Sequence, residues 1–280
     1  MKKIAVVLLN YNSSADCDKC IEFLLKQTYP IERIIVIDNN SSINDVKMLK
    51  TICKKSETIE LILNKENRGF SAGNNIGLRR AVDLGVDWCL VINPDVELRD
   101  VNYIDILLRE IGKWPEVVVA GSNIVLPSGE WQNPQRESTF YESFFWPFDS
   151  IRRKLFHTSN SYLSEKVTGY CEKLCGACFF VCADFMKTVN YLDENMFLYS
   201  EEAVLAAKVK MAHKRALYVN ETTAYHEHYS MNKEPSRERM LKFIDSRLYY
   251  YEKYGDLSGI KLYLIKWSLM FEKIIWKHRR

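Results

Sequence analysis

Four polar stretches carry the residue types that could do chemistry: Asn10-Tyr11-Asn12, Asp38-Asn39-Asn40, Asn67-Arg68-Gly69-Phe70-Ser71-Ala72-Gly73-Asn74-Asn75-Ile76-Gly77, and Asn93-Pro94-Asp95. The third is a Gly- and Asn-rich loop running into a helical pattern, where free backbone N–H groups could receive an anion or a base edge. The fourth closes the apolar run Trp88–Ile92 and delivers a carboxylate. Taken singly, each suits an ordinary turn, since Asn and Asp cap helices and bend chains. Taken together, they all follow strand-like runs, and the carboxyl edge of an open α/β sheet is where ligands bind. Further along, Glu201-Glu202 opens a helical pattern, where negative charge is also favourable for the helix itself. Tyr225-His226-Glu227-His228 would put two histidines on one face of an extended strand.

The elements that must position these groups alternate cleanly over the first hundred residues. Apolar runs at Ile4–Leu9, Arg33–Asp38, Glu60–Leu63 and Trp88–Ile92 read as strands. Helical periodicity marks Asp16–Gln27, Val46–Lys55 (capped through Asn40-Ser41-Ser42) and Ser71–Leu84, which stops at Gly85. Such alternation predicts a mostly parallel sheet, wound right-handed. A helix over Tyr103–Trp114 and a strand over Val117–Leu126 follow. The pattern loosens after Pro127, and Phe140–Phe156 is dense in aromatics, which suits either a lid or an irregular piece of core. Order returns with a strand at Ala177–Val181, a helix at Glu201–His213 and a strand from Arg215 to Val219 running toward His226.

The segment Gly259–Arg280 predicts one helix. Ile260, Tyr263, Leu264, Trp267, Phe271 and Ile274 share one side, with Lys261, Lys266, Ser268, Glu272, Lys273 and Lys277 around the other. A basic amphipathic helix of this kind suits a membrane surface, its own domain, or a second subunit. Of the net charge of +3, the residues from Met231 onward carry +6 and the first 230 carry −3, so the expected site is not a basic, nucleic-acid-type groove. No leader-like or membrane-spanning apolar run is visible, so the expectation is a cytoplasmic protein, peripheral on the membrane at most. The eight cysteines are expected to be free thiols. Cys171, Cys175, Cys178 and Cys182 cluster, but their spacing fits buried small residues better than zinc ligands.

These residues resemble glycosyltransferase family 2, the inverting transferases of the GT-A fold, and in particular its rhamnosyltransferase-like branch. The resemblance rests on Asn-Tyr-Asn, the Asp-Asn-Asn-Ser turn, the Asn67–Gly77 loop and Asn93-Pro94-Asp95, in that order along residues 4–230. It implies a Rossmann-like α/β fold with C-terminal amphipathic helices. It implies a GT-A domain over 1–230 (nucleotide half 1–100, acceptor half 101–230), with 231–280 as a helical extension. It implies that Asn10, Tyr11, Asn12 and Asp38 border the nucleotide, and that Arg68, Gly69, Asn74 and Asn93 line its pocket. Asp95 would bind Mg²⁺ or Mn²⁺ at the diphosphate, with His226 completing the metal site and His228 as the reserve. Asn93 stands where other members carry the first acid. Phe197-Leu198-Tyr199-Ser200-Glu201-Glu202-Ala203-Val204-Leu205 is similar to the family's base-bearing motif, with Glu202 at the catalytic Asp position and Val204 replacing a second acid.

The expected reaction is therefore transfer of a sugar from a nucleoside-diphosphate donor, dTDP-rhamnose or a UDP-hexose, to a hydroxyl of a glycan or lipid-linked acceptor. The expected setting is cell-surface polysaccharide synthesis. A sugar-phosphate nucleotidylyltransferase has a similar sheet but should place a glycine-rich loop after its first strand, and Asn10–Ser14 contains no glycine. A transferase-like module that binds sugar nucleotide or a partner without turnover is the alternative that Glu202 and Val204 keep open.

Overall fold

The structure is a computed structural model and describes residues 1–146, 167–227 and 236–278. Its centre is a nine-stranded sheet: β1 (Ile4–Asn10), β2 (Arg33–Asp38), β3 (Ile59–Leu63), β4 (Trp88–Ile92), β5 (Val96–Glu97), β6 (Val117–Val125), β7 (Gly169–Cys171), β8 (Cys178–Cys182) and β9 (Arg215–His226). The order is β3-β2-β1-β4-β8-β6-β9-β5, with β7 also pairing β9. Strands β1 to β4 run parallel; β8 is antiparallel to both its neighbours, which returns β6 and β9 to the direction of the first four. The sheet is thus mostly parallel by direction, with β5, β7 and β8 reversed.

Alternation along the strands feeds two cores, because both faces are covered. On one face Ile4, Val6 and Leu8 of β1 pack with α1 (Ser14–Leu25), α2 (Ile43–Ile52) and α4 (Tyr103–Ile111). On the other, Ala5 and Val7 pack with α3 (Phe70–Asp83), α6 (Ala183–Thr188) and α7 (Glu201–Met211). Helix α3 approaches the sheet closely because it has no side chain where it crosses: a Cβ on Gly77 would sit 2.5 Å from Val7 and 2.6 Å from Ile37. The glycines of the sequence motif therefore serve helix–sheet packing as well as the loop.

A third core joins α7 to α5 (Phe140–Phe144), α8 (Arg237–Lys253) and α9 (Gly259–His278) through Met196, Val204, Ile244, Tyr250, Ile265 and Leu269. The expected lid over Phe140–Phe156 is described only to Trp146. That part is a short helix with a Thr139–Glu142 capping box, bonded to the C-terminal helices through Ser143–Tyr251.

Helix α9 docks on the protein by the side that carries Ser268 and Glu272. The side that docks on the protein holds Ile265, Ser268, Leu269 and Glu272, while Ile260, Trp267 and Ile274 face outward. Two polar contacts select this side. Ser268 Oγ donates to the Phe144 carbonyl at 2.9 Å, and Arg247 reaches buried Glu272 at 3.2 Å.

Candidate functional site

The first polar corner is built from the ends of β1 and β2. Asn10 is buried, and its amide donates to Asp38 (3.0 Å), Ser41 Oγ (3.1 Å) and Asp45 (2.6 Å) while its carbonyl oxygen accepts from Ser13. The other Asp38 oxygen accepts the Ser41 N–H at 3.1 Å. Asn10 and Asp38, expected to border a nucleotide, hold each other and the turn at this strand edge. The open positions of this corner are Tyr11, 54% exposed, and Asn12, which closes on Ser41 and Ser42.

The Asn67–Gly77 loop is similarly self-organised. Asn39 donates to Asn67 and to the Gly69 carbonyl, and accepts from Asn64. The expected free N–H cradle is partly consumed. Gly69 N–H donates to Asn67 Oδ1, and Phe70 N–H donates across the fold to the Phe197 carbonyl, both at 2.9 Å. Gly69, at φ +94°, lies so close to that carbonyl that a Cβ would fall 2.0 Å from its oxygen. The Asn67–Gly77 loop and the segment leading to Glu202 thus touch backbone to backbone. Asn74 donates to the Phe70 carbonyl, while its own oxygen, like the hydroxyl of Ser71, is buried without a partner in the structure. Arg68 is exposed, with only long pairings of 3.7 Å to Glu66 and Glu194. Asn75, to which the sequence attached no role, exchanges two backbone hydrogen bonds with Leu192 and donates to Glu194.

The carboxylate corner forms where β5 pairs with the end of β9. That pairing sets Val96 opposite His226, and the Glu227 N–H donates to the Asp95 carbonyl at 2.8 Å. Asp95 Oδ1 lies 3.2 Å from His226 Nε2, and His226 Nδ1 faces Gln132 Oε1 at 2.9 Å. His226 thus presents one ring nitrogen to Gln132 and the other to Asp95. This is the orienting contact that metal-ligating histidines use. Gln132 is steadied by Asn133, which is buried and bonds the Ser122 carbonyl and the Cys175 N–H. Asn93, predicted to line the pocket, pins the turn by donating its N–H to the Ala177 carbonyl. His228 lies outside the described residues.

Asp95 opens onto a cleft of about 200 Å³ lined by Asp16, Lys19, Pro94, Glu97 and Glu227. Burial first, then the neighbouring Asp95 charge, raises the Asp16 carboxyl above its usual range. Among the described residues no group of three or more His, Cys, Asp or Glu side chains is placed to hold a metal. Asp95 and His226 are two donors of a suitable kind, and a hard divalent ion that keeps phosphate oxygens in its shell needs few from the protein.

Glu201 and Glu202 begin α7 after two left-handed residues, Tyr199 (φ 73°) and Ser200 (φ 64°). Glu201 Oε1 accepts the Tyr199 N–H at 2.8 Å and so stabilises that turn. Burial, followed by the adjacent Glu202 charge, raises the Glu201 carboxyl well above the carboxylate range. Both acids line a mostly apolar cavity of about 410 Å³ with Phe70, Phe179, Leu192 and Leu205. The segment before β8 runs between the two corners: Gly176 lines the cavity with Glu202, and the next residue, Ala177, accepts the Asn93 N–H two positions before Asp95. Burial above all pushes the Cys175 thiol of this segment up to about 12.

Comparison with known proteins shows the family. The family described as Glycosyl transferase family 2 matches residues 5–179, more than half of the chain. The chain belongs to glycosyltransferase family 2. A low-salt glycan biosynthesis hexosyltransferase of Haloferax volcanii, Agl10, is 26% identical over 204 residues, which are 71% of this chain and 59% of that relative. An N-acetylglucosaminyl-diphospho-decaprenol L-rhamnosyltransferase of Mycobacterium tuberculosis is 23% identical over 250 residues, 83% of this chain and 79% of the relative. Among solved structures, the mannosyltransferase PcManGT from Pyrobaculum calidifontis, in complex with GDP-Man and Mn²⁺, superposes with a TM-score of 0.62 at 13% identity, covering 98% of this chain and 70% of its own. GalNAc-T7 with UDP, GalNAc and Mn²⁺ gives 0.65 at 14% identity, covering 99% and 58%. This family 2 glycosyltransferase has the GT-A fold of those neighbours.

Proposed function

We propose that the protein is an inverting glycosyltransferase. It moves a hexose from a nucleoside-diphosphate sugar to a hydroxyl of a glycan or lipid-linked acceptor in surface polysaccharide synthesis. The observation that carries this reading is the pairing of Asp95 with His226 at 3.2 Å just past the end of β4, with Glu202 opening a helix whose approach segment is bonded to the Asn67–Gly77 loop through Phe70 and Phe197. Exposed Tyr11 offers a face for the base, and Asn12 and Arg68 are within the same edge of loops, with Arg68 available to the diphosphate. Asp95 and His226 would hold Mg²⁺ or Mn²⁺, which when bound neutralises charge on the departing diphosphate. The neighbours' nucleotides and Mn²⁺, and the rhamnosyl relative's name, support a donor such as dTDP-rhamnose or a UDP-hexose.

In this reading Glu202 takes the proton from the acceptor hydroxyl as its oxygen attacks the anomeric carbon. The C–O bond to the diphosphate breaks on the opposite face, and the configuration inverts in one displacement. Glu201 holds the turn that aims Glu202. The second reading, a module that binds sugar nucleotide without turnover, draws on Val204: the position that resembles an acidic one is only 2% exposed and packs against the C-terminal helices.

Donor turnover with Mn²⁺ by wild type and Glu202→Gln, alongside calorimetric nucleotide binding, separates the two. The expected result is a loss of about 10²–10⁴-fold in turnover with nucleotide affinity retained. Equal nucleotide release by both proteins would remove Glu202 as the base, and binding without release by either would favour the module.

A further inference from the structure

Helix α9 leaves its most apolar side uncovered. Ile260, Tyr263, Trp267, Met270, Phe271 and Ile274 fall within about 100° of helical arc and are 50–76% exposed. The Trp267 and Phe271 rings lie parallel with centroids 5.9 Å apart, forming one aromatic surface. Rotating the helix to hide this stripe would tear out Ile265 and Leu269 and break the Ser268 and Glu272 contacts. The stripe is therefore fixed outward by the protein's own packing.

One flank is basic. Lys266, Lys273 and Lys277 run along one side of the stripe by helical spacing, while Lys261 lies over the Phe140 ring toward the docked side. Lys266 and Lys273 are tied to Glu252 and Asp245 of α8, which holds their stems beside the stripe. Residues 259–280 hold six Lys/Arg against one Glu.

We propose that this stripe docks on an anionic lipid bilayer, lying in the plane of the surface with its lysines at headgroup level. Charge complementarity selects that occupant. An apolar arc bearing Trp and Tyr beside a basic flank, on a helix of net positive charge, matches an anionic interface. A second copy packed antiparallel on the same stripe would instead bring two net-positive segments together, since residues 259–280 carry six Lys/Arg against one Glu. No described helix is long and apolar enough to cross a membrane, so the contact is one of surface docking. The docked helix is also joined to the site: α9 grips α8, and α8 donates from Ser246 Oγ to the Leu198 carbonyl at 2.8 Å, four residues before Glu202. An acceptor carried in a bilayer would thus meet a protein held by the same unit that supports its base.

The test is co-sedimentation of the full chain with vesicles of phosphatidylcholine alone or mixed with phosphatidylglycerol. Wild type, Trp267→Glu and Phe271→Glu are compared, with thermal melts and light scattering on each. Wild type is expected to partition at least about tenfold better into the anionic vesicles. Either variant should lose about tenfold, and so should wild type in ~1 M salt, where the screening length falls from about 10 Å to about 3 Å. Wild type left in the supernatant, or variants that bind like wild type, would overturn the proposal. A dimer that Trp267→Glu dissolves, without vesicle binding by wild type, would assign the stripe to a second copy instead. The assay reads no turnover, so its failure and the failure of the transferase reading are distinguishable.

Discussion

Gly69→Ala is the sharpest perturbation of the link between the Asn67–Gly77 loop and the proposed base, Glu202. The new methyl would begin 2.0 Å from the Phe197 carbonyl oxygen, with the Phe197 carbonyl carbon and Cα also under 3 Å. All three are backbone atoms, so no rotamer change relieves the clash, and the two chains must separate by more than an ångström to reach ordinary contact. The left-handed φ of +94° adds about 1–2 kcal/mol of strain for any L residue with a side chain. Loss of the Phe70–Phe197 hydrogen bond adds about 1–3 kcal/mol if its groups stay buried. The combined cost of roughly 2–5 kcal/mol predicts a melting temperature lower by about 5 °C or more. Phe197 lies five residues before Glu202, so the displacement also reaches the base, and misplacement by about 1 Å costs on the order of 100-fold in rate. Calorimetric melting and steady-state donor turnover, measured together, check both halves. A variant that melts within a degree of wild type and turns over normally would refute the close approach, and with it the coupling.

Two other predictions concern residues around the acids. Glu201 has its folded-state pKa raised, so its contribution to stability is present below the unfolded value, near pH 4.5, and is lost as pH rises through the folded one. Wild type should therefore lose on the order of 2 kcal/mol between pH 5 and 8, whereas Glu201→Gln should show a flatter profile by denaturant titration; parallel profiles would contradict the burial argument. Gln132→Leu removes the acceptor that orients His226 and should raise the Mn²⁺ concentration needed for half-maximal nucleotide release by about 10–100-fold. Unchanged Mn²⁺ titrations would show that the contact does not tune the site.

Much of this architecture is legible in the residues. Strands β2 and β4 fall where their apolar runs predict, because both faces of a parallel sheet are buried and the runs are unbroken. Strands β5 and β7, of two and three residues, are too short to carry a period and were not expected. Asp95 is visible as the carboxylate closing a strand. Gln132 and Asn133 are not, because their relevance depends on pairings with residues 94 and 42 positions away in sequence. Hydropathy found the apolar side of α9 but not which side is docked, since a buried hydroxyl and an ion pair made that choice. Asn10 and Asp38 were visible as polar strand ends. Nothing in their spacing indicates that they satisfy one another.

The segment from Leu192 to Asn195 explains how distant parts of the chain can act on one site. On one side Asn75 bonds Leu192 and Glu194, Arg79 bonds Glu194 at 2.8 Å, and Arg68 approaches the same carboxylate. On the other side Asp193 accepts from Tyr254 at 2.5 Å and from Tyr249 at 2.8 Å. Burial would push the Asp193 carboxyl up, but hydrogen bonds from Tyr254, Asn195 and Tyr249 outweigh it and hold the group well below its usual range. Adjacent acids therefore bind the donor-loop helix and the C-terminal helical pair in opposite directions. The same pair reaches Leu198 through Ser246, and the same loop reaches Phe197 through Phe70. These contacts between the C-terminal helices and the Asn67–Gly77 loop and its helix all pass within ten residues of Glu202 on the chain. The C-terminal pair is therefore a support of the site's geometry, and its removal should disturb donor binding as well as contact with a surface.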